Sequence, residues 1–404
     1  MRHASHSRRG FTLLEVMIAS AIGVVVLAVG LVAGMQMQRR ALFEEQTMMA
    51  QVTGRAVKEL LATDLQRAGL GMGNAAISFG NNDHRYAIES WTEPNLRTGV
   101  APAFPADSTF NLPPTGTLYE NLRSDALRLY WGDTRSMVVM RACDGGQQGR
   151  IRPGNGDSEN FCTAPNPPMG MDPPPSTPDT PAIIVNPTRE LACHILVHNI
   201  NGSSMRINAN PGSTGNATTN GPCSDPDHDM WRDDTWMTMR TVSAAYRVNW
   251  TGGAPALEYL APGATTWKVV SRNVERMKIR QAVIDLTAPN TAYRWFPDTT
   301  AGRPAIDNCT QTNTACAVAL VSGETDTNDA ERRNLLRKRV RELEVTLTIR
   351  TRRADRSTFD PSVAVTTSDE EGFPKDGFKR RTYSFRVAPR NFAAAGQQIP
   401  TDNR

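Results

Sequence analysis

From Val16 to Met35 the chain runs for twenty residues without a charge. As an α-helix, that run spans about 30 Å, the hydrocarbon thickness of a bilayer. Arg2, Arg8 and Arg9 precede it, which by the positive-inside rule holds the N-terminus in the cytoplasm. One acid, Glu15, stands at the edge of the run. A carboxylate there is costly unless a cation meets it.

The helical pattern continues past the apolar run. Residues 36–68 contain no proline and one glycine, Gly54. Met49, Val52, Val57, Leu60, Leu61, Leu65 and Ala68 recur at spacings that suit one helix face, with Arg55, Lys58, Glu59, Asp64 and Arg67 on other faces. Gly69, Gly71 and Gly73 then end the helix. One helix from Phe11 to Ala68 would be about 85 Å long. The alternative is two helices broken near Gln36–Arg40. On either reading, an all-round apolar half precedes an amphipathic half.

Beyond the glycines the pattern shifts to period two. Ser124–Trp131, Ser136–Ala142, Ala182–Val185, Ala192–Ile200, Trp236–Trp250, Val274–Leu286, Leu343–Arg350 and Tyr383–Val387 read as strands, and Gly252-Gly253 before Leu257–Leu260 reads as a hairpin. In Leu343–Arg350 the apolar side chains share one face, as in an antiparallel strand buried on one side. The expected fold class is α+β: a long N-terminal helix packed on an antiparallel sheet body. Residues 144–181 and 201–234, crowded with Pro, Gly, Asn and Asp, read as long surface-loop insertions without their own core.

Composition adds little except through cysteine. The net charge is +4, and Arg2, Arg8 and Arg9 carry most of that excess, so the body is nearly neutral. All six cysteines (Cys143, Cys162, Cys193, Cys223, Cys309 and Cys316) follow the apolar run, and none forms a C-x-x-C pair. An even count on the exported side of a membrane points to disulfides. The expected pairing is between successive cysteines, Cys309–Cys316 above all.

Candidate chemistry is sparse. His194 and His198 are four apart, but their segment reads as a strand, which separates them. Asp225, Asp227 and Asp229 have a spacing like that of calcium loops, yet Met230 stands where an EF-hand needs glycine. A solvated acidic loop is the plainer reading, with calcium the alternative. No nucleophile, phosphate-loop or metalloprotease motif occurs, so neither an enzyme nor a bound cofactor is expected. Arg332, Arg333, Arg337, Lys338, Arg339 and Arg341, with Arg350, Arg352, Arg353 and Arg356 beyond, form a basic stretch. It reads as a solvated face meeting acidic patches on neighbours, or as a surface for nucleic acid or an anionic polymer.

Gly10-Phe11-Thr12-Leu13-Leu14-Glu15, behind a basic leader, resembles the signal of type IV prepilins and of type II secretion pseudopilins. That resemblance implies cleavage by prepilin peptidase between Gly10 and Phe11, N-methylation of Phe11, and pairing of Glu15 with a neighbouring subunit's N-terminal amine. It divides the chain into a leader (1–10), a membrane and filament-core half-helix (11–36), an amphipathic half-helix (37–70) and a β-rich body (71–404). Residues 60–74, 124–132, 241–260, 267–286, 340–352 and 380–392 resemble, in order, segments of the PilW class of minor pilins. The class implies a structural subunit of a priming or tip complex that initiates type IV pilus assembly and contributes to adhesion or motility. Its implied partners are other minor pilins, the major pilin, prepilin peptidase and the inner-membrane assembly platform, with a surface ligand possible at a tip. The implied location is the inner membrane with the body in the periplasm, and then the pilus. A J-type pseudopilin of type II secretion, or a tip adhesin or DNA-binding subunit, remains the alternative.

Overall fold

The computed structural model describes residues 11–72, 76–79, 84–100, 103–140, 151–153, 159–162, 179–186, 191–201, 206–209, 236–262, 264–285, 293–321, 323–355 and 365–389. Helix α1 (Leu13–Arg67) is continuous through Gln36–Arg40, at 55 residues and about 80 Å. Two short helices follow, α2 (Thr117–Glu120) and α3 (Asp329–Lys338).

Two sheets make the body. The first contains β1 (Ala76–Ser78), β2 (His84–Arg85), β3 (Ile88–Trp91), β4 (Ala126–Val139), β5 (Ile151–Pro153), β6 (Glu159–Cys162), β7 (Thr180–Asn186), β8 (Leu191–Asn201), β9 (Arg206–Ala209), β10 (Met237–Thr251), β11 (Ala254–Leu260) and β12 (Lys268–Arg272). Its main path runs β12-β11-β10-β7-β8-β9-β6-β5. The long strand β10 is its spine. β4 lies along one edge of it, while β7 and β11 share the other. The second sheet, in order β14-β13-β15-β16, contains β13 (Val274–Val283), β14 (Arg294–Phe296), β15 (Val340–Arg350) and β16 (Arg380–Val387). Asn273, at φ 65°, turns the chain from the first sheet into the second. Asparagine tolerates that left-handed conformation better than most residues.

Three expectations change. The first sheet is mixed, because β1 runs parallel to β8. The two loop-like stretches also contribute strands: β5 and β6 arise within 144–181 and β9 within 201–234, and they extend the first sheet beyond β8. Backbone pairing along a sheet edge needs no independent apolar core, so Pro/Gly-rich composition did not reveal them.

The third change concerns the buried stripe of α1, which is Ala50, Gly54, Val57, Leu61, Asp64 and Leu65, closed by Ala68. Met49 and Val52 face outward. Spacing alone allowed two neighbouring stripes, and the sheet takes the one with the smaller residues. At Gly54 a Cβ would lie 2.5 Å from the Tyr383 ring, so β16 approaches the helix closely there.

One core joins the helix to both sheets, through Leu61 and Leu65, Leu127 and Leu129, Tyr246 and Val248, and Leu343, Val345 and Leu347. Burying each large apolar side chain is worth about 1.5–3 kcal/mol. Two smaller clusters lie on the other face of the first sheet. One groups Val138, Ala182, Ile184, Ile195 and Trp236, and the other Phe104, Phe110, Ala126 and Ala245.

Candidate functional site

Residues 11–42 of α1 are exposed on every side, and the body first shields the helix at Phe43. There the Lys379 ammonium lies 3.8 Å from the Phe43 ring centre, and Arg353 N–H donates to Gln46 Oε1 at 3.3 Å. The free part holds the uncharged run, and α1 is long and apolar enough to cross a membrane. Exposed Leu, Val and Ile around a whole helix are unfavourable in water, so this segment requires lipid or other apolar helices around it.

Its N-terminus is capped from within. Thr12 N–H and Thr12 Oγ1–H donate to Glu15 Oε2 at 2.9 and 3.0 Å, and Glu15 N–H donates to Thr12 Oγ1 at 3.3 Å. This reciprocal pair satisfies two donors that the first helical turn leaves open. Glu15 therefore fixes where the helix starts, a role that the signal pattern did not reveal. Phe11 is 87% exposed, one residue before this cap. Gly10 lies outside the described residues.

At the other end of α1, the helix is fastened to the body by polar groups. Tyr246, on β10, donates from its hydroxyl to Asp64 Oδ2. Burial and the facing carboxylate push the Tyr246 phenol far above its ordinary range, so it remains a donor. Gly69 N–H then donates to Tyr130 O at 2.9 Å, and Gly132 N–H to Leu70 O at 2.7 Å. Met239 occupies the space that a Cβ on Gly71 or Gly132 would need. Segments 60–72, 124–132 and 236–250 thus meet at one junction. Asp64 was readable as an acid among the apolar positions Leu61, Leu65 and Ala68.

Part of the basic stretch is turned inward, while Arg352 and Arg353 stay exposed. Arg332, Arg339 and Arg341 are buried. The Arg332 Nε–H donates to Asp326 Oδ2 at 2.8 Å, Arg339 pairs with Glu324, and Arg341 donates to the carbonyls of Lys338 and Val340. The segment before α3 supplies the acids, folding back over the helix. Arg350 is also turned inward, 3.6 Å from Glu275 and stacked 4.2 Å from the Phe378 ring centre. Arg356 lies outside the described residues.

Cys309 and Cys316 are disulfide-bonded, as expected. Cys162 and Cys193 are also in disulfides. Cys143, Cys223, Asp225, Asp227 and Asp229 lie outside the described residues. His194 and His198 are not brought together. His194 is buried, stacked 4.2 Å from the Phe79 ring centre, and His198 faces Asp179 from an exposed position at 3.0 Å.

Residues 5–31 match the prokaryotic N-terminal methylation motif. The chain carries a prepilin-type N-terminus. That motif takes in Arg8, Arg9, Phe11, Glu15 and most of the uncharged run, and its residues 11–31 lie in the stretch that the body leaves uncovered. Comparison with curated proteins finds no match. Among solved structures, a type IV-like pilin from Thermus thermophilus is similar over 42% of this chain and 75% of its own, at 15% identity and a TM-score of 0.18. That likeness is too slight to bear on function.

Proposed function

We propose that this protein is a structural pilin of the PilW minor class. It is made with the leader 1–10, cleaved between Gly10 and Phe11, methylated on Phe11 and anchored in the inner membrane by α1 with its body in the periplasm. From there it passes into a type IV pilus, where it acts in a priming or tip complex with other minor pilins. The observation that carries this reading is the methylation motif on a helix whose residues 11–42 stand clear of the body. An apolar helix without cover on its own chain is suited first to lipid and then to a bundle of like helices.

Glu15 has two jobs in this scheme. It caps its own helix, and it receives the N-terminal amine of a neighbouring subunit during assembly. Prepilin peptidase, the assembly platform and the major pilin are the implied partners.

The test compares Glu15→Ala and Glu15→Gln with the parent chain in a piliated host. N-terminal mass spectrometry should show leader removal in all three, while sheared filaments should be depleted of both variants. Glutamine keeps an acceptor for the cap but loses the charge. Normal incorporation of Glu15→Gln would therefore eliminate amine pairing and leave capping alone. Retention of the leader on the parent chain would overturn the prepilin reading itself.

A further inference from the structure

Two segments of the body meet α1 where its cover begins, and both are basic. One follows β15 (residues 351–355) and the other leads into β16 (residues 377–379). They are stitched to each other. Thr351 N–H donates to Lys379 O at 2.8 Å, and Asp355 N–H donates to Gly377 O at 2.8 Å. Thr351 Oγ1 accepts from Lys379 N–H at 3.2 Å and donates to Arg353 O at 3.0 Å. Thr351 is buried, while Arg352, Arg353 and Lys379 are exposed. The next turn of chain belongs to the same end: Arg350 N–H donates to Asn273 O, which brings in the exposed Arg272.

This end of the body faces the uncharged run. β16 passes from Lys379 beside Phe43 to Tyr383 beside Gly54, so it leads away from that run. The Lys379 contact with Phe43 and the Arg353 bond to Gln46 hold the stitched segments against α1. The helix leaves them without a break, so their direction relative to the anchor is set.

Charge here is one-sided. The acids Glu275 and Asp376 lie inside, where Arg380 pairs with both and Arg350 with the first. Arg272, Arg352, Arg353 and Lys379 stay in solvent, and Arg39 and Arg40 of α1 add to them just outside the body. The acids beside them are Glu44 and Glu45, with Asp355 half-buried, so the bases are in excess.

We propose that this basic end of the body docks on the anionic phospholipid headgroups of the membrane that holds α1. The proposal rests on reading Val16–Met35 as the membrane anchor. Met35 then lies about 12 Å of helix below Phe43. Headgroups fill roughly half of that distance. The remainder is shorter than the Debye length of about 8–10 Å at ordinary salt, so the phosphates feel these side chains. A partner arriving from solution, nucleic acid included, would have to enter the narrow space between body and bilayer, where lipid phosphates are already at hand.

The test is hydrogen–deuterium exchange on the full chain in nanodiscs of phosphatidylcholine alone, or of phosphatidylcholine and phosphatidylglycerol in equal parts. Amides of residues 351–355 and 377–379 should exchange at least about fivefold more slowly in the anionic discs, the effect of about one basic side chain near such a surface. The triple variant Arg272→Gln, Arg352→Gln, Arg353→Gln should remove that difference. Arg135→Gln with Arg240→Gln, both exposed where β4 ends and β10 begins, should keep it. Equal exchange of the parent in the two discs would overturn the proposal and leave the anchor standing, and so would a difference that survives in a folded triple variant. A chain that enters neither disc would overturn both. Protection by duplex DNA on neutral discs, with none from phosphatidylglycerol, would reassign the surface to nucleic acid. The lipid selectivity of the parent decides the matter even if the triple variant fails to fold.

Discussion

Tyr246 and Asp64 meet 2.6 Å apart across the interface between the long helix and the first sheet. They form a buried side-chain tie in an interface that is largely apolar, beside the backbone bonds from Gly69 to Tyr130 and from Gly132 to Leu70. Tyr246→Phe should leave the carboxylate without its donor and lower stability by about 1.5–3 kcal/mol, the usual worth of a hydrogen bond to a charged group. Denaturant unfolding of the full chain in micelles would measure it. In a double-mutant cycle with Asp64→Ala the losses should be less than additive. Strict additivity would mean that the bond contributes nothing.

Gly54 sets how close β16 can come to the helix. Gly54→Ala gains about 1 kcal/mol of helix preference. Against this, the new Cβ falls on the Tyr383 ring, and overpacking of that kind costs about 1–3 kcal/mol. The expected outcome is a lower Tm for Gly54→Ala alone and a higher one when it is made on a Tyr383→Ala background. The same sign on both backgrounds would show that the ring yields without cost.

Glu344 lies on β15 between Arg280 of β13 and Arg386 of β16, at 3.2 and 2.8 Å. Partial burial pushes its carboxyl up, but the bonds from Arg386 and Arg280 outweigh that and hold it below its ordinary value near 4.5. A depressed carboxylate stabilises the fold above the unfolded-state pKa and loses that contribution as pH falls through the folded value. Glu344→Gln should therefore be less stable than the parent at pH 7, with the difference shrinking below about pH 4.5. Thermal melts from pH 7 to pH 3 would show it, and a gap that widens in acid would contradict the assignment.

The Cys309–Cys316 disulfide closes a short loop ahead of α3, with both sulfurs buried in the main core. Loop-closure entropy for so short a span is worth about 2.5 kcal/mol. Cys309→Ala with Cys316→Ala should lower stability by about that amount, and a reductant should then have less effect on the melt than it has on the parent. An unchanged melt would place the stabilisation of this loop in its packing instead.

Much of the architecture is legible in the residue pattern. The uninterrupted run to Met35, the stripe from Val57 to Ala68 and the alternation in Leu343–Arg350 each state their element directly. Cys309–Cys316 is legible because so few residues separate the pair. Other features depend on partners distant in sequence. Arg332 and Arg339 look like solvated charge until the chain brings Asp326 and Glu324 over them. Met49 and Ala50 are adjacent, and only the position of the sheet decides which is covered. Arg247 is a further case. It is fully buried between Asp107 and Glu258 and stacked 4.1 Å from the Trp267 ring centre, and nothing local in its strand announces that.

The free length of α1 also sets a mechanical relationship. If Val16–Met35 fills the hydrocarbon layer, seven residues, Gln36 to Leu42, separate it from the first body contact at Phe43, about 10 Å of helix. That stand-off is slightly more than one layer of lipid headgroups. The span holds no glycine, proline or break, and it enters the body as the same helix that Tyr246 grips at Asp64. Such a connection has no slack. A pull on the body draws on the anchor at once, and a turn of the anchor in its surroundings turns the body with it.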